Sequence, residues 1–171
     1  VDDVSLLGGD PSGGGTRDPG ANVTVLSGDI TQDDSTTSTG VTGIPSGING
    51  PNANTVLHLD GTEIQDSGAS SEALRSSTVI DGVTITGGEG GTGGIEDQAA
   101  AQSNGGGMLC AGYGADGACS PVVRRVTIRG NVAPSGGGAA VIGRSGGVTR
   151  PTFQNTTFRA NLARTGGGVY V

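Results

Sequence analysis

The chain has 171 residues, including 36 Gly and 7 Pro but only two Phe, two Tyr and no Trp, and it carries a formal net charge of −7. This charge argues against nucleic-acid binding, and no apolar run reaches the roughly 18 residues that a membrane-spanning helix needs. Because Gly, Ser, Thr and Val disfavour helix, the composition predicts an all-β fold.

Short β-branched runs bounded by Gly or Asn predict strands along the chain. They lie at residues 22–28, 54–61 and 78–88, and the last of these copies resumes at 105–110. Residues 121–141 then align without a gap onto 151–171, an offset of 30, with nine of 21 pairs identical. A period near 30 is typical of a β-solenoid. We expect one domain over residues 1–171, with about five or six rungs, that is either a segment of a longer precursor or a subunit that stacks end to end.

Alternation within these strands predicts which side chains form ladders in the interior. The apolar residues expected to face inward are Val83, Ile85, Val126, Ile128 and Phe158. Asn131 and Asn161 occupy matching corners, where Asn tolerates left-handed backbone, and we expect their side chains to hydrogen-bond along the stack.

Three segments between the strands predict projecting loops. Residues 31–53 are rich in Ser, Thr, Asp, Gly and Pro; residues 89–104 are Gly-rich, with a short helical turn expected at 98–102; residues 110–119 lie between the two cysteines. Loops of this length in a repeat fold carry recognition or vary freely.

The strings at residues 17–30, 79–88 and 104–108, with the repeated Thr-x-x-Gly/Ala-Asn-x-Ala-x-x-Gly-Gly-Gly blocks, resemble a known group of repeats. The sequence is similar to the polymorphic outer-membrane protein and pectin-lyase-like repeats of bacterial surface proteins. This resemblance implies a right-handed parallel β-helix in a secreted or cell-surface protein, and adhesins and autotransported passengers occur in the group. It covers most of residues 17–171 and is more specific for the fold than for a function.

Cys110 and Cys119 enclose eight residues of Gly-rich sequence. Two cysteines at this distance predict a local disulfide, which indicates an oxidising, extracellular setting; two free thiols are the alternative. A structural metal site would need more Cys or His than the chain has.

Asp29, Asp33 and Asp34 are candidate calcium ligands, because carboxylate oxygens are preferred by Ca²⁺. Their spacing does not match an EF-hand loop, and solvated acidic side chains are the alternative reading. We expect no other cofactor.

Catalysis is not favoured by the sequence. Carbohydrate-active β-helices use either clustered Asp pairs as acid and base or Ca²⁺ with an Arg or Lys base. This chain has no Lys and no Arg-x-Pro-x-x-Arg motif, and its single His58 is flanked by Leu57 and Leu59 in a predicted strand. We therefore expect a non-catalytic protein, with a polysaccharide lyase or hydrolase as the last alternative.

Charge is distributed unevenly along the chain. Residues 1–120 hold all 16 acids and two Arg, giving −14, whereas residues 121–171 hold seven Arg and no acid, giving +7. In a solenoid this produces oppositely charged ends, and open ends with unpaired strands favour head-to-tail stacking into a fibre or surface appendage. The arginines predicted for assembly or for an anionic partner are Arg124, Arg125, Arg129, Arg159 and Arg164. A carbohydrate-binding adhesin that uses this face for an acidic polysaccharide is the alternative.

Overall fold

A computed structural model describes residues 5–9, 15–62, 73–91 and 104–171. The fold is all-β, and every pairing between its named strands is parallel. One 3-10 helix, Pro45–Gly47, interrupts the strands. In chain order the strands are β1 (Ser5–Leu7), β2 (Thr24–Ser27), β3 (Leu57–Asp60), β4 (Val79–Asp81), β5 (Val83–Thr86), β6 (Met108–Tyr113), β7 (Ala118–Cys119), β8 (Val122–Arg124), β9 (Thr127–Arg129), β10 (Val132–Ser135), β11 (Ala139–Arg144), β12 (Val148–Thr149), β13 (Thr152–Gln154), β14 (Thr157–Arg159), β15 (Leu162–Thr165) and β16 (Val169–Tyr170).

Three sheets of four strands dominate the described residues. Sheet A has the order β1-β4-β8-β13, sheet B the order β2-β5-β9-β14, and sheet C the order β3-β6-β11-β16; two smaller sheets pair β10 with β15 and β7 with β12. The chain visits sheets A, B and C in turn before it returns to sheet A. Each passage therefore adds one layer, and the layers are β1–β3, β4–β7, β8–β12 and β13–β16.

The described residues thus supply four layers, fewer than the five or six that the repeat count suggested. The two faint sequence copies at residues 22–28 and 54–61 are the reason. They form β2 and β3 of a single layer, because the long segment between them connects sheet B to sheet C and does not form a separate layer.

The predicted 30-residue offset is confirmed by the register of the last two layers. Thr127 pairs with Thr157 and Arg129 with Arg159 in sheet B, and Ala139 pairs with Val169 in sheet C. Equivalent side chains consequently lie above one another at the interstrand spacing of about 4.8 Å.

The core lies between the three large sheets, and the predicted inward residues occupy it. Val83, Ile85, Val126 and Ile128 are at most 2% exposed. Phe158 belongs to the outermost layer and is only partly buried, and its ring meets that of Phe153 edge to face with centroids 5.3 Å apart. Each layer contributes a few small apolar side chains to this core, such as Val123, Ile128 and Ala139 of the third layer, so few aromatic residues are needed to fill it.

Left-handed backbone recurs at the same corners in successive layers. Equivalent positions with positive φ are Gly82, Arg125 and Asn155 between sheets A and B, and Gly87, Gly130 and Ala160 at the other end of sheet B. A residue with a Cβ is strained in this conformation, whereas Gly is not. The corner therefore depends on Gly wherever a neighbour also lies close, as at Gly130, where an added Cβ would overlap the Thr42 carbonyl oxygen.

Replacing Ala160 with Gly is expected to raise the free energy of unfolding by about 0.5 kcal/mol. Relief of the left-handed Ala conformation is worth roughly 1–2 kcal/mol, and the greater freedom of Gly in the unfolded chain cancels part of it. Ala163→Gly, three residues further on within β15, should instead lower the stability by about 0.5–1 kcal/mol. Urea denaturation of the two variants checks the opposite signs, and a loss of stability in both would contradict the assignment of strain to residue 160.

Two of the three predicted loops do not project. Residues 31–53 lie over the outer face of sheet B: the Thr86 hydroxyl donates to the Thr42 carbonyl at 2.7 Å, and Asn52 Nδ2 donates to the Gly87 carbonyl at 2.6 Å. Residues 110–119 hold the end of β6, a turn and β7, so they continue the stack. Most of the segment 89–104, including the helical turn expected at 98–102, lies outside the described residues.

Candidate functional site: an arginine cluster around a buried aspartate

Asp81 is the most highly connected charged side chain among the described residues. It ends β4 in sheet A and is 0% exposed. Arg17, Arg124 and Arg125 all form ion pairs with its carboxylate, with shortest N–O distances of 3.2, 2.9 and 2.5 Å. Three guanidinium groups thus converge on one carboxylate.

The hydrogen bonds use both carboxylate oxygens and the backbone of the aspartate. Arg125 donates through Nε to Oδ1 at 2.8 Å and through Nη2 to Oδ2 at 2.5 Å, a two-point fork. Arg124 Nε donates to Oδ2 at 2.9 Å. Arg17 donates through Nη1 to Oδ2 at 3.2 Å and through Nη2 to the Asp81 carbonyl oxygen at 2.6 Å. Such charge-assisted, two-point contacts fix the planes of the guanidinium groups.

The fold brings these residues together by three routes. Arg124 is the partner of Asp81 in the next strand of sheet A, so the parallel register places them side by side. Arg125 follows at the corner with φ +52, a conformation that turns its side chain back to the same carboxylate. Arg17 comes from the segment before β2, where Pro19 packs against Gly82.

The arginines determine the protonation of this carboxyl group. Hydrogen bonding to Arg125, reinforced by Arg124 and Arg17, holds the pKa of Asp81 well below its ordinary value of 3.8, although burial acts in the opposite direction. In return, the carboxylate raises the pKa of Arg125. Asp81 is therefore ionised throughout the physiological range, and the cluster of three arginines and one aspartate carries a net charge of +2.

A cleft adjoins the cluster on its solvent side. Its volume is about 640 Å³, and its lining residues are Thr16, Arg17, Asp18, Pro19, Gly20, Arg125 and Thr127. Thr127 belongs to β9, with the same outward orientation as Arg129, so the cleft opens onto the outer face of sheet B. Side chains that could contact a ligand here are mainly cationic or hydroxylated.

The arginines expected to serve assembly or an external anion are placed in different environments. Arg124 and Arg125 already have an anionic partner, Asp81, within the chain, which the sequence reasoning did not foresee. Arg129 donates from Nη2 to the Gly43 carbonyl at 2.9 Å, under the segment 31–53. Arg159 and Arg164 are exposed on β14 and β15 of the last layer.

The structure brings the three predicted calcium ligands together. Carboxylate oxygens of Asp29, Asp33 and Asp34 lie within 4.8 Å of one another. The same oxygens accept hydrogen bonds from their own loop: Asp34 accepts from Asn49 N at 2.8 Å and from the Thr42 hydroxyl at 2.8 Å, and Asp29 accepts from the amides of Asp33 and Asp34. These contacts explain how the acids order the loop, and calcium binding stays a prediction.

Two further predictions are confirmed. Cys110 and Cys119 form a disulfide, and both are 0% exposed. Asn131 and Asn161 hydrogen-bond across the layers, with Nδ2 of Asn131 donating to Oδ1 of Asn161 at 3.0 Å. The disulfide joins two strands of the second layer, the asparagine pair joins the third layer to the fourth, and both features are structural.

Comparison with known proteins adds no family assignment. No protein-family model matches the chain, and no curated protein and no solved structure shows significant similarity to it. The likeness to bacterial surface repeats stays a prediction from motifs. Within the described part of the chain, no helix has the length and apolar character to cross a membrane.

Asp81 itself was missed in the sequence, although a signal for it exists. Residues 79–85 align without a gap onto 122–128 as two copies of one strand-corner-strand unit, and this alignment places Asp81 opposite Arg124. An acid and a base at one ladder position predict an ion pair. The contribution of Arg17, 64 residues away in the chain, has no comparable signal.

Proposed function

We propose that the protein is an extracellular, non-catalytic, right-handed parallel β-helix that stacks head to tail into a fibre or cell-surface appendage. The observation that carries the proposal is the layered architecture of parallel sheets. In the described residues, β1–β3 have neighbours on one side only, and so do β13–β16. Free edges of parallel sheets present unpaired N–H and C=O groups, which recruit further strands. The disulfide supports an extracellular location.

The outer surface of the last layer is partly apolar. Leu162 is 56% exposed, while Phe153, Phe158 and Val169 are only partly covered. Their counterparts one layer inside are nearly all buried: Val123, Ile128 and Ala139 are each 0% exposed. A further layer would bury the phenylalanine rings as the last layer buries these residues, at roughly 25 cal/mol per Å² of apolar surface.

Charge complementarity indicates that a second copy of this chain supplies the further layer. The described part of the first layer and its loops, residues 5–9 and 15–62, contains Asp18, Asp29, Asp33, Asp34 and Asp60 but only one arginine, Arg17. The last layer, residues 151–171, contains Arg159 and Arg164 and no acid. A contact between unlike ends is heterologous and propagates rather than closing. Opposite charges steer such a contact over about 8–10 Å at physiological salt.

Electron microscopy tests the proposal directly. At low salt we expect fibres with an axial repeat near 19 Å, which is roughly four layers at about 4.8 Å each. Raising the NaCl concentration should slow fibre growth, because the steering interaction is screened. Dispersed particles at every salt concentration, from protein shown by circular dichroism to be folded, would exclude head-to-tail stacking.

A pair of charge-matched variants tests the steering contribution. Arg159→Glu places a negative charge on the exposed edge strand of the last layer, and we expect it to abolish fibres or slow their growth at least tenfold. Arg75→Glu changes the net charge equally at an exposed position outside that layer and should leave growth within about twofold of the parent. Light scattering measures both rates, and equal growth of the two variants would refute the role of Arg159.

A further inference from the structure

The cleft beside Asp81 has more positive charge than the chain neutralises. Asp81 is buried and accepts from all three arginines, so one negative charge offsets three positive ones. The only other acid lining the cleft in the described part of the chain, Asp18, is occupied locally: its Oδ1 accepts from the backbone amides of Gly20 at 2.9 Å and Ala21 at 3.2 Å. With the Asp18 carboxylate counted, the groups at the cleft carry an excess of +1.

Two of the arginines also have donor capacity left for a ligand. Arg125 uses Nε and Nη2 for Asp81, so its Nη1 is held in a fixed position, and its side chain is 51% exposed. Arg17 also lines the cleft, and its side chain is 25% exposed. A guanidinium group has five N–H donors, so both side chains can donate to a ligand while they donate to Asp81.

We propose that this cleft binds a tetrahedral oxyanion, a sulfate or phosphate group. Guanidinium groups fixed by a carboxylate on one edge offer their other edge as a rigid fork, which matches the oxygens of such a group. The single negative charge of a sulfate ester equals the excess at the cleft. The Thr16 and Thr127 residues in the lining supply hydroxyl groups for the remaining oxygens.

The openness of the cleft favours one source of the oxyanion. The cleft is open to solvent, and the Arg125 side chain that lines it is 51% exposed. An open site leaves room for the rest of a molecule that carries the sulfate or phosphate group, whereas it encloses a free ion poorly. A sulfate or phosphate ester on a larger molecule therefore fits the site better than the free inorganic ion.

Isothermal titration calorimetry with defined probes distinguishes the two sources. Inorganic phosphate and sulfate represent the free ion, dextran sulfate represents the ester, and neutral dextran is the polymer control, all at about 50 mM NaCl, where screening is weak. We expect dextran sulfate to bind at least tenfold more tightly per sulfate group than inorganic sulfate, and neutral dextran to give no heat. Saturable binding of the inorganic ions alone would support the oxyanion site and assign it to the free ion. No binding of any anionic probe would overturn the proposal.

Variants separate a specific site from diffuse attraction. Arg125→Asn removes one cleft charge and suits the corner, because Asn155 has the same left-handed backbone one layer away. It should weaken dextran sulfate binding at least tenfold, whereas Arg164→Gln, an equal charge change on β15, should weaken it less than twofold. If both variants lose affinity equally, attraction is diffuse and the site is refuted.

A second variant tests the cleft without touching the Asp81 cluster. Thr127→Glu adds a carboxylate to the lining and should also weaken binding at least tenfold, while Thr157→Glu, its neighbour in the next layer, should have a smaller effect. Unaltered binding by Thr127→Glu would place the anion elsewhere and refute the cleft as the site. These binding measurements do not depend on fibre formation, because the proposed fibre contacts involve the first and last layers and not the cleft.

Discussion

Replacing Asp81 with Asn is expected to lower the free energy of unfolding by about 2 kcal/mol at pH 7, since three partly exposed arginines then lose their buried counterion. Three guanidinium groups would then lie at one corner without a counterion. The introduced amide could still accept through its Oδ1, but its NH2 group would face arginine donors instead of accepting from them. The partial exposure of the arginines, 25–51%, limits the loss because water replaces some of the bonds.

The same substitution should change the pH dependence of stability. The pKa of Asp81 is depressed in the folded protein relative to its ordinary value of 3.8. A depressed carboxyl pKa contributes stability that is fully present above the unfolded value and is lost as the pH falls through the folded value. The parent protein should therefore lose stability progressively below about pH 4, and the Asp81→Asn variant should show a shallower decline over that range.

Asp116→Asn provides the matched control for both measurements. Asp116 is exposed in the turn between β6 and β7, and the same chemical change there should alter stability by less than about 0.5 kcal/mol. Urea denaturation at pH 7 and at several values down to about pH 2.5 covers the range in which this carboxyl group becomes protonated in the unfolded chain but stays ionised in the folded protein. If Asp81→Asn and Asp116→Asn behave alike at pH 7, the arginines do not depend on the carboxylate and the cluster is not a structural unit.

The extent of sequence-based prediction differs between the strands and the site. The inward positions of Val83, Ile85, Val126 and Ile128 and the pairing of residues 30 apart follow from alternation and repetition, which are local properties of the chain. The disulfide follows from the closeness of its two cysteines in the chain. Such features need no knowledge of how the intervening segments run.

The arginine cluster and the path of the long loop depend on tertiary placement. Arg17 reaches Asp81 across 64 residues, and Arg129 reaches the Gly43 carbonyl across 86. A polar composition such as that of residues 31–53 is equally compatible with a projecting loop and with one packed on a sheet, because Thr and Asn side chains satisfy either arrangement. The packing becomes visible only through contacts such as that between Gly130 and the Thr42 carbonyl oxygen.

The difference between the predicted five or six layers and the four layers of the described residues has a related cause. Residues 22–28 and 54–61 both carry strand patterns, and from the sequence alone two strand patterns are naturally counted as two rungs. The structure assigns them to sheets B and C of one layer. A layer therefore contains several similar strands, and long segments between strands make the first two layers longer than the 30-residue repeat.

Replacing Asn131 with Leu should lower the free energy of unfolding by about 3–4 kcal/mol, because several buried hydrogen bonds are lost together. Asn131 is 0% exposed, and its side chain connects three layers. Its Oδ1 accepts from Gly88 N at 2.9 Å, and its Nδ2 donates to the Ile85 carbonyl at 3.2 Å and to Asn161 Oδ1 at 3.0 Å. Leu has the same branched arrangement of heavy atoms but leaves the buried Gly88 amide without this acceptor, and each buried group left unpaired costs about 1–3 kcal/mol.

Asn161→Leu makes the same change one layer further out and serves as the comparison. Asn161 Oδ1 accepts from Asn131 N, and Nδ2 donates to the Ile128 carbonyl at 2.8 Å, but the residue is only partly buried. Water can replace part of what is lost there, so we expect a decrease of about 1–2 kcal/mol. Urea denaturation with equal m-values measures the difference. Equal losses at the two positions would show that burial does not set the cost of breaking this ladder, whereas a larger loss at Asn131 would locate the stability of the stack in its inner layers.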